Sequence, residues 1–306
     1  MRLAAVALFT VCVGVGTLRD RVHTRSPIQV DGYEILSGDF HVHAFLGDGG
    51  LAPWVLQYQA ARAGLDVITI TNHNQTLAGR IGRWASRRSS GPMLIAGEEI
   101  TGTDFHLIAV GIERAVDWKQ PARDAIDQVH AQGGVAIAAH PLRGFSEGYD
   151  ERALRELDGL EAAHPDALQA VTRLQFEEFY NRTTALNTNV AAIGSSDFHM
   201  EGPLGLCRTY LFVRERSQAG VVDAIRDGRT VGRCGSERLR GRPELVQLLE
   251  PHADALAAPE VDLLSRAASF GVWLALVAFA ILGPREHTKV KGQKAKGKGE
   301  VKGVRA

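Results

Sequence analysis

The chain has 306 residues, enough for one large domain or two small ones, and its hydrophobic content of 45% allows a sizeable core. Basic and acidic residues balance at 35 each, but 285–306 carries eight basic against two acidic, which leaves 27 basic and 33 acidic residues on 1–284. An acidic body argues against nonspecific duplex binding, and no long nucleic acid is expected as a partner.

Leu3 to Leu18 is almost wholly apolar or small, preceded by Met1-Arg2 and followed by Arg19, Asp20, Arg21 and Arg25. Residues 1–29 therefore read as a signal peptide or N-terminal membrane anchor, although a full span needs about 20 apolar residues. Ile35-Leu36 into Phe40-His43 reads as the first strand. Pro53 near the start and Gly64 just past the end bracket a helix. Asp66 to Thr71 is the next strand, 76–88 a helix with exposed arginines, Met93 to Ala96 a strand leading to Glu99, and His106 to Ile112 another. Pro121 to Gln132 is a helix closed by Gly133-Gly134, and Val135 to Ala139 a buried strand. Leu160 to Ala163 reads as a strand, Ala167 to Leu186 as a long helix, Val190 to Gly194 and Thr209 to Val213 as strands, and Ser217 to Asp227 as a helix. This alternation predicts an α/β fold with a mainly parallel sheet that could close into a barrel.

Residues 236–266 read as a linker with a short helix, and 267–283, without a charge, as a transmembrane helix. The basic tail 284–306 is then cytoplasmic by the positive-inside rule, and the body between the helices extracytoplasmic. The arginines after the first segment, three against one before it, oppose that orientation. Cys12 lies in the N-terminal segment, while Cys207 and Cys234 could pair only in an oxidising compartment.

Six of the eleven histidines fall in short segments, most of them directly after these strands: His41-Val42-His43 with Asp48 beyond it, Asn72-His73-Asn74, Glu98-Glu99 with His106, His140-Pro141, and Asp197-Phe198-His199. Alternate strand residues share a face, so His41 and His43 point the same way, and Asp197 and His199 likewise. Imidazole with carboxylate and no cysteine suits manganese, iron or zinc rather than a thiolate-rich structural zinc site. So many nitrogen and oxygen donors exceed one tetrahedral ion and predict two or three ions sharing carboxylates.

At these residues the chain resembles the PHP (polymerase and histidinol phosphatase) family. Gly38-Asp39-Phe40-His41-Val42-His43 with Gly47-Asp48-Gly49, Thr71-Asn72-His73-Asn74, Gly97-Glu98-Glu99-Ile100-Thr101 with His106, Ala139-His140-Pro141 and Ser195-Ser196-Asp197-Phe198-His199 are similar to its five motifs, over about 36–213. The resemblance implies a distorted β/α, TIM-like barrel over 30–235, flanked by the terminal hydrophobic helices. It also implies a metal site of His41, His43, Asp48, His73, Glu99, His106, His140, Asp197 and His199. Glu98 and Glu99 exchange roles if the strand phase shifts by one; Glu99 fits the family pattern. Asn72 stands where the family usually has Asp, which should retune His73 from behind. Arg143 and Arg208 are candidate contacts to an anionic substrate. Glu161 reads as a structural strand residue, and His23, His130, His164, His252 and His287 as ordinary polar or surface residues.

The expected function is metal-dependent hydrolysis of a small phosphate ester by a metal-bridging hydroxide. One alternative is carboxyl-ester or carbamate hydrolysis on the same site, as in a branch of the family that Arg208-Thr209-Tyr210 resembles. Another is a membrane-tethered binding module with a degraded site.

Overall fold

Short runs of β-branched residues, punctuated by glycine and proline, become strands and helices in a computed structural model that describes residues 2–19, 26–200, 202–259 and 263–281. In chain order the elements are α1 (Arg2–Arg19), β1 (Ile28–Val30), β2 (Tyr33–Val42), α2 (Pro53–Arg62), β3 (Val67–Ile70), α3 (Leu77–Ser86), β4 (Met93–Thr101), β5 (His106–Val110), α4 (Ala122–His130) and β6 (Val135–Ala138). They continue with α5 (Glu151–Glu156), β7 (Gly159–Ala163), α6 (Ala170–Leu186), β8 (Ala191–Gly194), β9 (Cys207–Val213), α7 (Gln218–Arg226), β10 (Thr230–Cys234), β11 (Arg240–Gly241), α8 (Pro243–Leu249) and α9 (Leu263–Ile281). The chain divides into two units, 21–260 and the two ends, 1–20 with 261–306.

The larger unit is one sheet in the order β11-β10-β9-β2-β3-β4-β5-β6-β7-β8, with β1 paired to β2. It curls into a nearly closed barrel. Closure at the β8 edge runs through side chains: Thr209 Oγ1 accepts from Gly194 N and donates to Gly194 O, and Thr230 Oγ1 donates to Ala192 O. The barrel interior is filled by Leu36, Phe40, Val67, Ile95, Ile108, Ile137, Ile193 and Leu211, and α7 packs on this cluster with Val221 and Ile225. Helices α2 and α3 cover β2 and β3, while α4, α5 and α6 cover β5 to β8.

The expectation of a mainly parallel sheet is corrected. Only β2–β3, β3–β4, β6–β7 and β7–β8 are parallel among the described pairs, and β5 runs antiparallel to both β4 and β6. Four residues separate β4 from β5, whereas a parallel crossover needs about a dozen. The reversal has a consequence for the site. It puts the first residue of β5, His106, opposite Thr101 at the rim where the parallel strands end.

The stretch read as a linker also differs from expectation. β11 pairs with β10, and Leu245, Leu249 and Leu256 are buried against Ile35, Tyr210, Phe212 and Val231. Leu245 and Leu249 have helical spacing, but the surface that buries them comes from other strands. Cys207 and Cys234 face each other across β9 and β10 and form a disulfide.

In the second unit α1 and α9 are apolar along their length, with mean hydropathy of 1.5 and 1.8, and largely exposed. A Cβ at Gly271 would collide with the Cys12 sulfur, so the bare glycine lets the two helices approach closely. The basic tail 284–306 lies outside the described residues.

Candidate metal centre

The site is built on the rim where β2, β3, β4, β6 and β8 end. All nine predicted residues come together there in overlapping groups: His41, His43 and Glu99; His41, His140 and Asp197; Glu99, His106 and His140; and His43, Asp48, His73 and His199. Two strand residues, His41 and His43, point the same way as predicted, with their Nε2 atoms 3.1 Å apart. Asp197 and His199 do not follow strand alternation. Asp197 sits in the left-handed region (φ 48°), past the end of β8. The turn still brings both side chains inward, because Phe198 is clamped beside β2: its N–H donates to His41 O and its carbonyl accepts from His43 N.

Asp39 holds this turn. Its buried carboxylate accepts from Ser196 N at 3.1 Å, Gly205 N at 3.0 Å, the Ser196 hydroxyl and His41 N. Burial pushes the Asp39 carboxyl up to about 6, with these donors opposing. The loop carrying Asp48 folds back over His43, and a Cβ at Gly49 would collide with the His43 carbonyl.

The hydrogen bonds on the far side of each ring decide which nitrogen faces the centre. His41 Nδ1 meets Glu161 Oε1 at 2.9 Å, and His43 Nδ1 meets Asp48 Oδ1 at 2.9 Å. His73 Nδ1 meets Thr101 Oγ1 at 2.6 Å, and His199 Nδ1 meets the Asp197 carbonyl at 3.0 Å. These acceptors put the proton on Nδ1 and turn four Nε2 lone pairs inward.

The inner four atoms are His41 Nε2, His43 Nε2, Glu99 Oε2 and Asp197 Oδ1. The two carboxylate oxygens lie 3.1–3.3 Å from the two nitrogens. Bonds of about 2.0–2.2 Å to one ion put neighbouring ligand atoms about 3.3 Å apart, which the four nitrogen–oxygen distances match. Glu99 Oε2 and Asp197 Oδ1 are also buried without a hydrogen-bond partner. Two opposed nitrogen lone pairs and two orphaned carboxylate oxygens at one point are a donor set for a cation. Glu99 Oε1 faces the other way, 2.7 Å from His106 Nδ1 and 3.1 Å from His140 Nε2. The outer group gathers on Asp48 Oδ2, at 3.2 Å from His73 Nε2 and 3.1 Å from His199 Nε2.

The electrostatics favour positive charge at this point, carried by the rings while no cation is bound. Burial alone would lower His41, but Asp197, Glu99 and Glu161 outweigh it and hold the ring well above its ordinary value. Burial would raise Asp197 and Glu99, and their histidine neighbours, His41 foremost, hold both below the carboxylate range. Glu98 points to the opposite face of β4, where burial raises it to about 7 and its carboxylate accepts from Val116 N. Glu99 is thus the inward acid.

A cavity of about 240 Å3 opens over the cluster, lined by His73, Glu99, His106, His140, Asp197 and His199 and walled by Leu142, Phe145 and Asp166. Phe145 lies over His106 with ring centroids 4.3 Å apart. No arginine or lysine lines it among the described residues. The Arg208 guanidinium is instead buried against the carbonyls of Gly205, Ala63 and Leu256, where it ties the barrel to the stretch after α8. Arg143 is exposed and does not reach the cavity wall.

Asn72 also departs from expectation. Its Oδ1 accepts from Ala44 N at 2.8 Å and its Nδ2 donates to Ala44 O at 2.9 Å. It pins the loop before Asp48 and does not stand behind His73, whose Nδ1 partners are Thr101 and Glu99. Two residues were missed. Glu161 and His164 are buried beneath His41, at 0% and 2% exposure, where the sequence reading made Glu161 structural and His164 a surface residue. A lone acid inside the apolar strand Gly159-Leu160-Glu161-Ala162-Ala163 was the available signal.

No family model matches the chain. A crystal structure of a two-domain protein from Bacteroides vulgatus, named as containing a predicted PHP-like metal-dependent phosphoesterase, aligns over 76% of this chain and 74% of its own, with 26% identity and a TM-score of 0.59. The chain shares its barrel fold with this PHP-like protein. Two weaker likenesses accompany that one. A putative metal-dependent phosphoesterase from Bifidobacterium adolescentis is 19% identical over 55% of this chain and 90% of its own, with a TM-score of 0.45. An uncharacterised protein of Methanocaldococcus jannaschii is 26% identical over 150 residues, 44% of this chain and 86% of its own. The PHP fold places the nine residues of the five motifs on one rim, as described above.

Proposed function

We propose that this chain is a metal-dependent hydrolase of small phosphate esters that holds two or three divalent ions, manganese, iron or zinc, among its nine clustered residues. The observation that carries the reading is the overlap of the donor groups: His41, His43 and Glu99 form one, His41, His140 and Asp197 a second, and His41 Nε2 and His43 Nε2 each lie 3.1–3.3 Å from both Glu99 Oε2 and Asp197 Oδ1. His106 and His140 with Glu99 would hold a second ion, and Asp48, His73 and His199 a third. Bound ions supply Lewis-acid polarisation of a phosphoryl oxygen and acidify water at neutral pH.

The chain's own residues set the rest. Leu142 and Phe145 exclude water from one wall and give an apolar leaving group a surface to rest on. With no arginine or lysine on the wall among the described residues, bound ions would carry most of the neutralisation of a phosphate dianion, which favours small esters over extended polyanions. His73 and His199 flank the open side, 38% and 34% exposed, so substrate enters past them, opposite the apolar wall.

The same reading anchors the protein in a membrane through α1 and α9, with the barrel outside the cytoplasm. The exposed apolar surfaces of both helices support it, as does the Cys207–Cys234 disulfide, which persists in oxidising compartments.

The test is metal content and turnover together on the detergent-solubilised full chain. Manganese, iron and zinc are quantified, and chromogenic phosphomonoester, phosphodiester and carboxyl-ester substrates are assayed, with His41→Ala as control. Two or more ions per chain with phosphoester turnover lost in the variant supports the proposal. Carboxyl-ester turnover alone moves the assignment to the ester and carbamate reading. Neither ions nor turnover leaves a tethered binding module.

A further inference from the structure

Glu161 stands in the middle of β7, between Leu160 and Ala162, and has no accessible surface. A leucine or valine would suit that strand; a carboxylate there must be matched on every side or it is costly to bury. It is matched. Oε1 accepts from His41 Nδ1 at 2.9 Å and from the Ser195 hydroxyl, and Oε2 accepts from His140 N. His164 closes the remaining side with Nε2 3.9 Å from Oε2, its Nδ1 being taken by Asp166 N. One carboxylate thus touches three of the five motif segments, each on the side away from the cavity, and it is not itself on the cavity wall.

We infer that Glu161 is the positioning residue of the centre: it fixes His41 as the Nδ1–H tautomer and locks His140 and Ser195 to the same point. The inference rests on the ion reading above and concerns only how the inner corner of the cradle is held. The chemistry is that of a carboxylate behind a ligating imidazole. It orients the ring, makes Nε2 the lone-pair nitrogen and raises its basicity, and losing such a partner costs about 10–100-fold in metal affinity. A glutamine cannot replace it. Its one carbonyl oxygen can serve either His41 and Ser195 or His140 N, and the amide NH2 then faces a donor on the other side. Turned toward His41, the NH2 forces the proton onto Nε2 and blocks the ligand atom.

The experiment uses the full chain in detergent, with Glu161→Gln compared to wild type. Metal affinity is read by chelator competition, the inner geometry by the visible spectrum of the cobalt-loaded protein, and folding by thermal unfolding of the metal-free protein. The expected result is a 10–100-fold weaker inner ion with an altered cobalt spectrum, while the ion on Asp48, His73 and His199 stays. An amide facing a donor should lower metal-free unfolding, so affinity is read well below that transition. Unchanged affinity and an unchanged spectrum in Glu161→Gln would make Glu161 a structural residue and overturn the inference. A second measurement needs no variant: the long-range proton–nitrogen NMR spectrum of the zinc-loaded wild type should show His41 protonated at Nδ1, and protonation at Nε2 overturns the inference as well. If wild type binds no ion at all, the hydrolase reading fails first, and the two failures are distinct.

Discussion

The inner and outer halves of the centre use the same residue types but are built differently. His41 and Glu99 lie on strands and His43 one residue past β2, all at 0–1% exposure; Glu161 on β7 backs His41, and Asp197, 26% exposed in its turn, completes the inner four. Asp48, His73 and His199 are 34–45% exposed and stand on loops after β2, β3 and β8, backed by a hydroxyl, a carbonyl or each other. Buried and cross-tied ligands keep their geometry without an ion, while exposed ligands on loops depend more on the ion to order them. The inner half should therefore bind first and most tightly, and the outer half should exchange.

The largest break in that contrast comes from Glu99→Gln. Glu99 is the one acid that serves two inner groups, with Oε2 toward His41 and His43 and Oε1 toward His106 and His140. Turnover should fall by more than the about 10–100-fold that loss of a supporting partner costs, and bound metal should drop with it. Metal analysis and initial rates check both. Asp48→Asn is next. It weakens the His73–His199 side, so one ion should be lost in a chelator titration while the inner ion stays. Loss of every ion in Asp48→Asn would mean that the halves are not separate.

Asn72→Asp sharpens the comparison through stability. Asn72 both accepts from and donates to Ala44, and a carboxylate would face the Ala44 carbonyl with no proton to give. Thermal unfolding should report a loss of about 1–3 kcal/mol, with weakened binding confined to the outer half because the loop leads to Asp48. A variant as stable as wild type would show that the loop is held by other contacts.

These cases show what the sequence carried. The strand ends and the five segments were legible because a histidine or acid after a short apolar run has few structural uses. Glu99 over Glu98 followed from the family pattern, since strand phase alone left the two interchangeable. The reversal of β5 was hidden in a four-residue gap, and the burial of Leu245, Leu249 and Leu256 depends on Ile35 of β2 and Tyr210 and Phe212 of β9, which are more distant in sequence. The roles of Asn72 and Arg208 were misjudged for one reason. Each was read from its sequence neighbours, whereas its partners, Ala44 for one and Ala63, Gly205 and Leu256 for the other, are set by tertiary contact. Glu161 was seen but not weighed, since its meaning comes from His41, 120 residues away.

The smallest expected effect tests whether backing matters less on the exposed side. Thr101 Oγ1 lies 2.6 Å from His73 Nδ1, as Glu161 lies behind His41, but it is a neutral hydroxyl, and Glu99 Oε2 is also within 3.0 Å of the same nitrogen. Thr101→Val keeps the shape and removes the hydroxyl, leaving Glu99 Oε2 beside Nδ1 but not hydrogen-bonded to it. A neutral hydrogen bond in a half-exposed setting contributes about 0.5–1.5 kcal/mol, which is at most about tenfold in outer-ion affinity. Chelator competition on Thr101→Val should therefore give a few-fold change, well below that of Glu161→Gln. Equal losses in the two variants would mean that burial does not grade the centre and that every imidazole in it is held with the same stringency.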